Sequence, residues 1–299
     1  MQSFWPKVPS LCALPVKIET KAPAKVNLTL HVTGQRSDGY HLLDSLVVFA
    51  DVSDVLTATS ASDTTLLVHG HFAAGVPLNE TNLIMRAAKV LQARRGVYAG
   101  AALTLEKILP HAAGIGSGSS DAAATLKMLA SLWDVAPLED TAPEVLALGA
   151  DVPVCMRGPS PVRMRGIGEI LDPVSLLPDC ALVLIRPPVD VPTGAVFDGL
   201  ATKDGAPMDD IPEGLDFAGF SQWLKAQRND LQPPALEIAP EVAATIKALE
   251  GLPQVAFAGM SGSGATCFAL VQDLVSAEAV ADVMADTHPT WWIAPARML

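Results

Sequence analysis

Four short stretches of this chain carry side chains whose types and spacing could do chemistry. Pro110–Ala123 places Gly114, Gly116 and Gly118 at alternate positions and follows them with Ser119, Ser120 and Asp121. Glycines let backbone N–H groups converge without Cβ obstruction, and the positive end of a following helix adds to the concavity. Such a loop is a seat for phosphate, with Ser119 and Ser120 suited to cap the helix or offer hydroxyls to an anion or metal. The spacing is not that of a dinucleotide fingerprint, because Ser119 stands where the third glycine would be. It is not a Walker A loop either, since the next lysine after Gly118 is Lys127. The protein-kinase signatures His-Arg-Asp and Asp-Phe-Gly are missing. Lys25 and Asn27, two apart in an alternating segment, project from the same face of a strand. Asp151 precedes Val152-Pro153, a proline expected to end any helix there and to hold the aspartate in a constrained turn. A second glycine-rich turn, Gly259-Met-Ser-Gly-Ser-Gly264, lies between two apolar runs.

The elements that position these groups follow from periodicity. Alternation predicts strands over 16–19, 26–32, 45–50, 55–58, 65–68 and 101–106. Asn82–Leu91 has a helical apolar face, with Gly96 as its stop. A further helix is expected from Ala122 to Trp133, downstream of the glycine loop, and a shorter helical stretch after it. The texture then becomes rich in proline and glycine over Arg157–Gly168, which reads as a crossing between an N-terminal unit, 1–160, and a C-terminal unit, 161–299. In the second unit, strands at 180–185, 255–258, 265–271 and 291–293 alternate with helices at 241–249 and 277–285, and 201–216 reads as a surface loop.

Composition bounds the partners. With 299 residues the chain can bury a large core or two ordinary ones. Its 20 basic and 32 acidic residues give a net charge of −12, which disfavours nucleic acid and leaves polyanionic ligands to local donors. Cys12, Cys155, Cys180 and Cys267 are scattered without a Cys-x-x-Cys pair, as expected of free thiols in a reducing compartment. No apolar run reaches the length of a membrane span, and residues 1–16 read as a loose extension rather than a signal peptide. A cytoplasmic protein, with no membrane partner, is expected.

Three of the stretches together, Pro23-Ala-Lys25-Val-Asn27, Pro110–Ala123 and Met260–Thr266, resemble the three ordered motifs of the GHMP small-molecule kinases. Gly34–His41, Asn82–Ala87, Leu148–Pro153, Gly166–Leu171 and Pro295–Leu299 extend the resemblance toward the branch acting on a cytidine-diphosphate-linked methylerythritol in non-mevalonate isoprenoid synthesis. The resemblance implies an α+β fold, with a ribosomal-protein-S5-like first domain and a ferredoxin-like second. It also implies ATP and Mg²⁺ as cofactors and transfer of the γ-phosphate to the 2-hydroxyl of that small molecule, by a monomer or homodimer.

Carried over residue by residue, it makes Asp151 the base and Lys25 the group that orients the hydroxyl and stabilises developing charge. It assigns Asn82, Lys107, Pro110, Gly114, Ile115, Gly116, Ser117, Gly118, Ser119 and Ser120 to ATP. Asn27, Tyr40, His41, Thr193 and Phe197 go to the substrate, with the Tyr40 and Phe197 rings flanking the cytosine. Gly262, Ser263, Gly264 and Thr266 form the third glycine motif, and no carboxylate cluster names the metal's ligands. Two departures from the family pattern stand out. Ser117 replaces a usual glycine, which should tighten the loop, and the segment from Trp133 to Gly149 is shorter than usual. The rival expectations are another kinase of the same family acting on a mevalonate-type acid, homoserine or a sugar, and a non-catalytic ATP sensor. An RNA-binding module, suggested by the S5-like fold, conflicts with the −12 charge.

Overall fold

A computed structural model describes residues 17–174 and 177–299. Its first sheet is organised around one long strand. β1 (Lys17–Asn27) and β2 (His31–Gln35) both pair with β3 (His41–Ala61), a strand of 21 residues. β4 (Thr65–His69) leads through α1 (Leu83–Arg95) to β5 (Gly100–Glu106), which pairs in parallel with β4 and antiparallel with β3. α1 is the crossover that a parallel pair requires. Then come α2 (Ser117–Leu132), α3 (Pro143–Leu148), α4 (Val152–Arg157), β6 (Val162–Gly166) and β7 (Ile170–Pro173). β6 joins the other end of β3, giving the order β4-β5-β3-β6-β7.

Three expectations change here. The separate strands at 45–50 and 55–58 are one, because the acids in the gap find partners. Asp54 is fully buried yet accepts backbone N–H bonds from Ile108 and Leu109 at 2.6 and 2.8 Å, and Asp51 accepts one from Arg297 at 2.8 Å. Residues 17–19 and the first two of the 26–32 segment likewise belong to one strand, β1, while His31 and Val32 begin β2. β1 is interrupted by a register shift between Pro23 and Ala24, where proline has no N–H to offer the ladder. The change of sheet comes after Pro173 rather than at 160, since β6 and β7 hydrogen-bond within the first sheet.

The second sheet is antiparallel throughout. β8 (Ala181–Arg186) precedes α5 (Thr193–Asp198), α6 (Phe217–Ala226), α7 (Gln232–Ile238) and α8 (Pro240–Glu250). β9 (Val255–Met260), β10 (Cys267–Val271), α9 (Leu274–Thr287) and β11 (Trp292–Arg297) complete the order β11-β8-β10-β9. The apolar runs of β8 and β10 are continuous because both faces are covered. Val183, Ile185, Cys267 and Ala269 pack beneath α7, α8 and α9, while Leu182, Leu184, Phe268 and Leu270 point the other way. The second group meets Ala24, Val26, Leu46 and Val48 of the first sheet in one core, so the two sheets are joined by apolar packing and the motifs on each are held in register.

Cys155, Cys180 and Cys267 are buried free thiols, and Cys12 and the rest of the expected N-terminal extension lie outside the described residues. Among the described residues no helix is long and apolar enough to cross a membrane.

Candidate active site

The glycine loop ends in a helix terminus with bare donors. α2 starts at Ser117, five residues earlier than its apolar pattern predicts. Ser119 and Ser120 therefore sit inside its first turn instead of capping it. The cap position is Gly116, at φ 59°, with no side-chain cap bond. The first N–H groups of a helix have no intrahelical partner, so those of Ser117, Gly118 and Ser119 point outward with the dipole behind them. Neighbouring hydroxyls turn away from this opening. Ser117 Oγ donates to the Pro110 carbonyl (3.1 Å) and Ser120 Oγ to the Pro23 carbonyl (2.7 Å), the latter beside a separate cavity of about 310 Å³. Gly114 must be glycine for two reasons. Its φ is 74°, and a Cβ there would lie 2.4 Å from the Ser261 carbonyl oxygen.

Lys25 and Asp151 meet beside this opening. Lys25 comes from β1, and its backbone N–H bonds the Ile115 carbonyl at 3.0 Å, fixing the strand to the loop. Its Nζ donates to Asp151 Oδ2 at 3.0 Å and to Asn27 Oδ1 at 2.7 Å. The lysine is buried, whereas the Asp151 side chain keeps 34% of its surface exposed. Asp151 occupies the cap position of α4 but makes no side-chain cap bond, which leaves its carboxylate to Lys25 and the cleft. Pro153 starts this helix rather than ending one: it stands in the first turn, where a missing N–H costs nothing.

The third glycine motif closes the far wall. Ser261 Oγ donates to the Gly114 carbonyl (2.9 Å) and accepts from the Asn27 N–H (3.0 Å), so one hydroxyl ties all three motifs together. Asn229 donates to the Met260 and Gly262 carbonyls at 2.8 and 2.9 Å, and Thr193 shares a hydrogen bond with Ser263 at 2.8 Å. The resulting cleft, about 390 Å³, is lined by Lys25, Asn27, Gly114, Gly116, Ser117, Gly118, Ser119, Asp151, Thr193, Phe197, Gly262 and Ser263 among others. Ser261 and Asn229 were missed by the sequence reading. Ser261 lies within a motif whose glycines drew attention, and Asn229 has no spacing signal at all.

Other expected residues fall elsewhere. Ile115 is in the core between the sheets, Thr266 is fully buried with its hydroxyl unpaired, and Gly264 packs against Met260. Asn82 caps α1: Oδ1 accepts from the Ile84 N–H (2.8 Å) and Nδ2 donates to the Pro77 carbonyl (2.7 Å), so its amide is engaged at both ends, and Leu83 lines the cleft. Lys107 is buried and forms ion pairs with Asp54 and, at 2.8 Å, with Asp121. It anchors the two stems of the glycine loop to the sheet, and its ammonium is not offered to a nucleotide edge. Burial pushes the Asp121 carboxyl up to about 7, against the pull of Lys107. The partner of Phe197 is His41, stacked at 4.9 Å and 22°, while Tyr40 stands 58% exposed. The Tyr40–Phe197 slot expected for a base is thus not formed here, because His41 covers the Phe197 face. His41 Nε2 is buried without a partner, and burial, then the Lys203 charge, holds this histidine below its usual range.

Comparison with known proteins shows the family. Family models described as the GHMP kinases N terminal domain and the GHMP kinases C terminal match residues 82–159 and 211–290. A 4-diphosphocytidyl-2-C-methyl-D-erythritol kinase of Cereibacter sphaeroides is 54% identical over 94% of this chain and 99% of its own. One from Ruegeria pomeroyi is 50% identical over the same shares. A crystal structure of a 4-(cytidine 5'-diphospho)-2C-methyl-D-erythritol kinase superposes with a TM-score of 0.75 at 31% identity, covering 94% of this chain and 99% of that one. A homoserine kinase from Cytophaga hutchinsonii, at 18% identity and TM-score 0.66 over 94% and 95% of the two chains, shares the fold.

Proposed function

We propose that this chain, which belongs to the GHMP kinase family, transfers the γ-phosphate of ATP to the 2-hydroxyl of 4-diphosphocytidyl-2-C-methyl-D-erythritol. The observation that carries the chemistry is the Lys25–Asp151 pair, 3.0 Å apart, at the mouth of an uncapped helix terminus. Phosphoryl transfer asks the protein mainly for positioning and charge stabilisation. The N–H groups of Ser117, Gly118 and Ser119 receive the ATP phosphates. Asp151 takes the proton from the acceptor hydroxyl as the bond to phosphorus forms. Lys25 orients that hydroxyl and offsets the negative charge that develops.

Among the described residues there is no group of three or more His, Cys, Asp or Glu able to hold a metal by itself. Mg²⁺ brought in on the ATP phosphates needs only one or two protein oxygens and otherwise keeps water. Ser119 and Asp151, which line the cleft, would supply them. Held there, the ion would supply positive charge to offset that of the phosphates.

On the substrate side, the exposed Tyr40 ring and the stacked His41–Phe197 pair supply aromatic surface for the cytosine, and His41, with an unspent Nε2, addresses its polar edge. Thr193 and Ser263, hydrogen-bonded to each other, line the same cleft and offer hydroxyls to the substrate. A phosphate-transfer assay offering the cytidyl-linked methylerythritol, mevalonate and homoserine in parallel tests the assignment. Turnover confined to the cytidyl substrate is expected, and preference for either small acid would move the chain to another branch of the family.

A further inference from the structure

Behind Lys25 runs a chain of buried hydrogen bonds whose direction is fixed from its far end. Ser45, on β3, is fully buried, and its hydroxyl donates to the Thr29 carbonyl at 2.5 Å. That carbonyl can only accept, so the single hydroxyl proton is committed to it. Toward Asn27, 2.7 Å away, Ser45 Oγ is therefore an acceptor, and Asn27 must present its NH₂ group. The amide is then oriented, and its oxygen faces Lys25 Nζ at 2.7 Å. Thr29 is itself pinned, since its hydroxyl accepts from the Leu46 N–H at 2.8 Å.

From this geometry we infer that Ser45 is a positioning residue for the transfer step: it holds, from the NH₂ end, the orientation of the Asn27 amide in which the oxygen meets the catalytic ammonium. The inference rests on the phosphotransfer role of Lys25 proposed above. Without the Ser45 hydroxyl, the buried Asn27 NH₂ loses its acceptor and the barrier to turning the amide over falls. Turned over, the amide would put N–H against N–H and push Lys25 away from Asp151. Ser45 itself does not line the cleft, so ATP binding has no reason to change.

The test compares wild type, Ser45→Ala and Ser45→Thr, each corrected for folded fraction. Ser45→Ala should lower kcat roughly tenfold, the scale of one lost buried hydrogen bond. KM for ATP should stay level, and Ser45→Thr, which restores the hydroxyl, should recover most of kcat. Independently of turnover, the Asn27 side-chain amide, assigned by its disappearance in Asn27→Asp, should be strongly protected from hydrogen exchange in wild type and exposed in Ser45→Ala. Unchanged kcat in Ser45→Ala, equal losses in the alanine and threonine variants, or unaltered Asn27 protection would each overturn the positioning role. Failure of wild type to phosphorylate the cytidyl substrate would instead overturn the functional proposal, and the exchange measurement would still decide on Ser45.

Discussion

Replacing Asp151 with asparagine separates chemistry from folding more cleanly than any other change in the cleft. The amide is nearly isosteric but cannot take up a proton, and a positioned base contributes about 10²–10⁴ in rate. Conversion at 1.36 kcal/mol per decade gives a barrier increase of about 2.7–5.4 kcal/mol. The effect on stability should be far smaller. The Asp151 side chain is one-third exposed, makes no cap bond, and has Lys25 as its ion-pair partner at 3.0 Å. A pair screened on its Asp151 side is worth about 1 kcal/mol, and in the variant the buried Lys25 keeps acceptors in Asn27 and in the oxygen of the new amide. For a chain of this size such a change corresponds to about 2–4 °C or less in Tm.

Asp151→Asn should therefore lose two to four decades of kcat with a small shift in Tm and little change in ATP affinity. Steady-state ADP release, calorimetric ATP titration and scanning calorimetry on one preparation give all three quantities. Turnover within about threefold of wild type would remove Asp151 as the base and leave positioning alone to account for the rate. A collapse of Tm in parallel with activity would show that the pair is chiefly structural.

Gly116→Val should weaken ATP binding and also lower kcat, because a side chain there is strained at φ 59° and its Cβ would lie 3.0 Å from Lys25 Cε; calorimetry showing unchanged ATP affinity in a folded variant would take the loop out of the phosphate site. Phe197→Ala and Tyr40→Ala should raise KM for the cytidyl substrate several-fold to about a hundredfold, since base stacking is worth roughly 1–3 kcal/mol, with KM for ATP level. Equal KM values in folded enzyme would reject the ring platform. Asp121 has a folded pKa of about 7, above its ordinary 3.8, so the folded state holds more protons than the unfolded across that interval and stability falls as pH rises from about 4 to about 7. Asp121→Asn should remove this slope in chemical-denaturation midpoints; an unaltered slope would place the titration elsewhere.

The sequence disclosed what backbone geometry and polar residue type jointly impose, and concealed what depends on distant partners. Gly114 and Gly116 were legible because positive φ and close packing leave glycine little competition. Lys25 and Asn27 were legible because a period of two puts them on one face, and that face is where the cleft lies. The start of α2 was misplaced because its first turn, Ser-Gly-Ser-Ser, has no apolar periodicity, and what holds it is the packing of buried Ser117, Ser120 and Asp121. Lys107 and Asp54 misled for a related reason. An isolated lysine near a phosphate loop suggests a ligand, and acids inside an apolar run suggest a strand break. Each reading reverses once the two are known to meet, because a carboxylate with N–H donors and an ammonium beside it can be buried. The aromatic residues show the same limit at the site itself. Residue type marked Tyr40, His41 and Phe197 as suited to a base, but which ring faces which is set by how α5 packs over the start of β3. That packing gives Phe197 to His41. A cytosine could take the Phe197 face that His41 now covers only by displacing it, whereas a base that stacks beside the pair meets the orphaned Nε2 along its polar edge.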